Sequence, residues 1–116
     1  MDIFLWILQI LLAAAFLGSA VVKNTVAKDD LKARMPYVED FSQGQIRAIG
    51  LIEGVAAIGL VLPWATGIAP ILTPLAAVGL VITMVIAALV HRRRGESIAF
   101  NLVLAALALI VAIGRF

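Results

Sequence analysis

The sequence predicts an all-α fold: a polytopic membrane protein built as a four-transmembrane-helix bundle with both termini on the non-cytoplasmic side. Three observations carry this prediction. Of 116 residues, 64% are hydrophobic and 14% are charged, and the mean hydropathy is +1.13. A soluble chain of this size has too little interior to hide that much apolar surface, whereas lipid hides it. The apolar residues gather in four long stretches. Eight of the nine Lys and Arg residues follow the first and third stretches, two places that share one side of a membrane crossed four times.

The first stretch, Ile3 to Val22, contains no charge and predicts a helix over 2–24. Met1 and Asp2 lack the basic flank of a cleavable export signal, and the run is longer than a typical signal core. It is therefore expected to remain a membrane helix despite the small residues Gly18, Ser19 and Ala20. The polar connection from Lys23 to Gly44 contains a helix-compatible segment, Asp30 to Met35, ended by Pro36, with Tyr37 and Phe41 at headgroup depth. Ser42 and Gln45 have the spacing of a capping box for a second helix over 44–62. The uncharged run from Gly54 to Val90 is too long for one crossing. Pro63, Pro70 and Pro74, with Gly67 among them, split it, so a third helix is predicted over 70–91. The turn from His91 to Glu96 then leads into a fourth over 96–114. At about 1.5 Å rise per residue such runs reach roughly 25 to 30 Å, the depth of a hydrocarbon core. One domain, 1–116, is expected.

Lys23, Lys28, Lys32, Arg34 and Arg47 stand between the first and second helices or at the start of the second, and Arg92, Arg93 and Arg94 follow the third. The opposite side has Asp2, the turn from Pro63 to Pro70, and Arg115. This imbalance puts the basic side in the cytoplasm, with the inner or plasma membrane of a prokaryote as the expected location. The absence of cysteine excludes disulfides, thiolate metal sites and cysteine nucleophiles. The single histidine, His91, adjoins three arginines and is a poor metal nucleus, so no metal site and no intrinsic cofactor are expected. No aromatic and basic interleaving suggests nucleic acid. Membrane lipids are the expected partners, with Arg92, Arg93 and Arg94 as anionic headgroup contacts. Trp6 and Trp64 read as membrane-depth anchors rather than an aromatic cage.

Glu53 is the most informative residue. An ionised carboxylate facing lipid two turns inside a helix costs several kcal/mol, at roughly 2.5 to 3.5 on insertion scales, so the side chain is expected to face the bundle. Lys23, His91 and Asn101 lie at comparable depth and are its candidate partners; such a cluster forms either a structural clasp or a ligand or proton site, and snorkelling of Glu53 to the lipid surface is the third reading. Gly50, Gly54, Gly59 and Gly79 are expected to permit close helix packing, either within the chain or between copies.

The run Gly50-Leu-Ile-Glu53-Gly-Val-Ala-Ala-Ile-Gly59-Leu, then Leu62-Pro63, Leu72-Thr-Pro74 through Gly79, and the His91-Arg turn before Gly95-Glu96 resembles the DoxX-like family of small four-helix membrane proteins. The resemblance is close from about Gln43 to Arg115 and loose at Gly18 and Lys23. It maps Gly50, Glu53, Gly54, Gly59, Pro63, Pro74, Gly79 and His91 onto the family pattern without making any of them catalytic. It implies a tie to membrane redox complexes, because the family's namesake is similar to a membrane subunit of an archaeal thiosulfate and quinone oxidoreductase. Three function classes follow. An accessory or scaffold subunit, working with a membrane protein partner or as a homodimer, needs only the bundle. Binding or oxidoreduction of quinone or another lipophilic molecule uses the polar group around Glu53. A small proton-coupled transporter needs a dimer to enclose a path.

Overall fold

The computed structural model describes residues 2–31, 35 and 41–116. Its helices are α1 (Asp2–Thr25), α2 (Lys28–Leu31), α3 (Gln43–Thr66), α4 (Leu72–Arg93) and α5 (Ala99–Arg115). The expected helix end at Pro36, the headgroup position of Tyr37, and the basic residues Lys32 and Arg34 lie outside the described residues. The four long helices alternate in direction and close a ring in which α1 packs on α3, α3 on α4, α4 on α5, and α5 more sparsely on α1.

Inside the ring, Leu8, Leu12, Phe16, Leu60, Leu80 and Val111 form the core. Outside it, Ile3, Leu51, Val55, Ile82, Val103 and Ile113 are exposed. Helices apolar on both faces suit a solvent of hydrocarbon, because exposing those outer side chains to water would forfeit their burial. The helices α1, α3 and α4, of 24, 24 and 22 residues, are long and apolar enough to cross a membrane. The apolar α5 has only 17 residues. Four full-length spans were expected, and α5 falls short because it begins at Ala99 rather than 96. The lost residues form the turn after α4. Gly95 takes a left-handed φ of 73° and donates to the Arg92 carbonyl at 3.1 Å, while Glu96 N–H reaches the His91 carbonyl at 2.8 Å. This is a Schellman closure, and it satisfies carbonyls that the helix end would leave bare.

The start of α3 follows the expected chemistry: Ser42 Oγ accepts from Gln45 N–H at 3.1 Å, and Gln45 Oε1 accepts from Ser42 N–H at 2.9 Å. Its end does not. Pro63 was expected to end the helix near 62, yet α3 runs through it to Thr66. Proline removes one N–H and strips the carbonyl four residues back of its partner. Here that carbonyl belongs to Gly59, and the Thr73 hydroxyl of α4 donates to it at 2.9 Å. The break is thus repaired from the next helix, as membrane proteins require when a backbone group is freed in lipid. Gly67, at φ 72°, then stops α3.

Candidate binding cavity

Gly50 positions the site. A Cβ there would stand 2.9 Å from Lys23 Cβ and 2.5 Å from Asn24 Nδ2, so only glycine lets the end of α1 lie this close to α3. Gly54 extends the approach, its Cβ position 3.3 Å from Ala20 Cβ. The consequence is that Lys23 Nζ donates to Glu53 Oε1 in an ion pair whose members are 5% and 2% exposed. Burial disfavours each charge alone, and the contact between them offsets that cost.

His91 and Asn101 do not join this pair directly. His91 Nδ1 lies 2.9 Å from Glu96 Oε1, and Arg94 Nε is 3.4 Å from the same oxygen. A carboxylate accepts only, so Nδ1 carries the proton in this contact. Asn101 Nδ2 has a long contact of 3.9 Å to Met84 Sδ. What unites the four residues is a cavity of about 680 Å³, walled by α1, α3, α4 and α5, which Lys23, Glu53, His91 and Asn101 all line. The rest of its wall is largely apolar. Phe16, Phe41, Phe100, Met35 and Met84 contribute soft or planar surface, and Ser19, Thr83 and Ser97 add hydroxyls. Phe41, expected at headgroup depth, also packs with Met35, Val22 and Val26 around Ile46.

Arg92 and Arg93 are exposed and stand outside the cavity, whereas Arg94 is partly buried against Glu96. Gly59 meets α4, its Cβ position 3.0 Å from Ala76 Cβ, while Gly79 faces open space. Among the described residues, no three His, Asp or Glu residues gather as metal ligands.

At the other end of the bundle lies a network that sequence reasoning missed. Gln9 Nε2 donates to the Leu60 carbonyl at 2.6 Å, and Arg115 Nε donates to Gln9 Oε1 at 2.8 Å. Arg115 Nη1 reaches Asp2 Oδ1 at 2.7 Å. The Arg115 guanidinium stands 4.4 Å from the Trp64 ring centre and 5.7 Å from that of Trp6. The two tryptophans, expected only as membrane-depth anchors, therefore also hold a buried cation. One signal was available: Gln9 is the only polar residue between Asp2 and Ser19. Together with Thr73 on Gly59, these contacts tie all four long helices at the Asp2/Arg115 end and leave the cavity between them at the Lys23/His91 end.

The sequence profile of the DoxX-like family matches residues 7–113. The chain belongs to the DoxX-like family. No curated protein and no solved structure matches it. In this DoxX-like chain the residues that carry the resemblance have separate settings. Gly50, Glu53 and Gly54 meet α1, Gly59 meets α4, Pro63 sits within α3, and Pro74 is buried in the first turn of α4, where a missing N–H costs least.

Proposed function

We propose that this small DoxX-like membrane protein is an accessory subunit that holds a lipophilic molecule with a polar head. The cavity carries the reading. Its volume of about 680 Å³ falls within the roughly 300 to 1,000 Å³ of small-molecule sites, and a largely apolar wall carries a few polar side chains, among them Lys23, Glu53, His91 and Asn101. The Asn101 amide offers hydrogen bonds to a head, and His91 and the Lys23–Glu53 pair supply local polarity; Phe16 and Met84 receive the apolar part. A quinone is one molecule of this form. With no cysteine and one histidine, the chain offers no ligand set for a redox metal, so electrons for any turnover come from a membrane partner. The Gln9–Arg115 network favours a pocket closed at one end over a path through the bundle, and so favours binding over transport.

The test is gentle extraction, followed by mass spectrometry of the lipophiles that copurify. Wild-type protein should retain a stoichiometric lipophile. Ala87→Phe, which places a ring on the cavity wall, should lose it while keeping its helical circular dichroism. No retained molecule in the wild type, or equal retention by the variant, would overturn the reading. Proton-coupled flux into vesicles that Glu53→Gln abolishes would favour transport instead.

A further inference from the structure

A second hollow lies along the last turns of α4, lined by Ile86, Leu89, Val90, Arg92 and Arg93. We propose that it binds one anionic phospholipid, with an acyl chain along Ile86 and Leu89 and the phosphate held by Arg92 and Arg93. The spacing builds an amphiphile's complement. Ile86, Leu89 and Arg93 follow at helical intervals of three and four, so an exposed apolar stripe ends in a cation.

The arginines have no competing use. Arg94 turns to Glu96, whereas the guanidiniums of Arg92 and Arg93 have neither ion pair nor hydrogen bond among the described residues. The last carbonyls of α4 do not occupy them either, because the turn at Gly95 takes the Val90, His91 and Arg92 carbonyls through backbone N–H groups. Two free cations at the end of a membrane helix, beside an apolar groove, match a negative headgroup on a hydrocarbon chain. Phosphate alone would use the cations and leave Ile86 and Leu89 without a role. The site is independent of the cavity's occupant, although Ile86 and Val90 line both hollows.

The experiment is native mass spectrometry of the full chain from micelles holding equal phosphatidylglycerol and phosphatidylcholine. Wild type should retain the anionic lipid preferentially. At about fivefold per arginine, Arg92→Gln with Arg93→Gln should lower that preference by roughly 25-fold. Arg47→Gln, which removes an exposed charge from α3, should leave it unchanged, and glycerol phosphate should not displace the lipid. Undiminished preference in the double variant would overturn the proposal. So would an equal loss in Arg47→Gln, which would mean general charge attraction, or displacement by glycerol phosphate, which would mean a bare anion site.

Discussion

Glu53 and Lys23 make each other tolerable, and that dependence can be measured. Replacing one member removes a buried contact of opposite charge from the other. Glu53→Gln should therefore cost about 3 to 5 kcal/mol of stability, whereas Lys23→Met combined with Glu53→Met should recover most of it, since an apolar pair of similar volume removes both desolvation costs. Thermal unfolding in one detergent would decide; a single variant as stable as wild type would sink the argument. An acid at the depth of Glu53 was legible from its type alone. Its choice of Lys23 over His91 was not, because it depends on how closely Gly50 lets α1 approach, and His91 finds Glu96 only after the turn at Gly95 has folded. Gln9 was legible in principle, yet an uncharged polar residue in an apolar run has no obvious partner until Leu60 and Arg115 are brought beside it.

Among the elements, α3 and α4 are joined by a fault in one and a hydroxyl in the other. Thr73→Val should cost about 1 to 3 kcal/mol, because it leaves the partly buried Gly59 carbonyl without a donor in an apolar setting. In a Pro63→Ala background the same change should cost much less, since an N–H at position 63 would then serve that carbonyl within the helix. Equal costs in the two backgrounds would refute the coupling. Pro63 was misread as a helix end because a proline shows in sequence only what it breaks; the repair comes from a side chain ten residues further on. The starts of α3 and α4 were easier to place, within about two residues, because local signals set them: the Ser42 and Gln45 cap for one and a proline-rich turn for the other.

Across the whole molecule, the four apolar runs were legible as helices, but the way they associate was not, since hydropathy gives no direction to a contact. The charge imbalance carries one further expectation. A reporter fused after Phe116 should behave as non-cytoplasmic, with alkaline phosphatase active and green fluorescent protein dark; the reverse pattern would overturn the orientation. The polar network at the Asp2/Arg115 end also has a meaning in time. The ribosome delivers α1, with Gln9 and Lys23, before α3. α3 brings the Leu60 carbonyl to one and Glu53 to the other, but it arrives with the Gly59 carbonyl bare. α4 covers that carbonyl with Thr73, and Arg115, in the last turn of α5, closes the ring onto Gln9 and Asp2. α3 answers polar groups of α1, α4 answers one of α3, and α5 returns to α1, so the order of synthesis is also an order of assembly, and a nascent chain has reason to wait for its next helix rather than pair with a stranger.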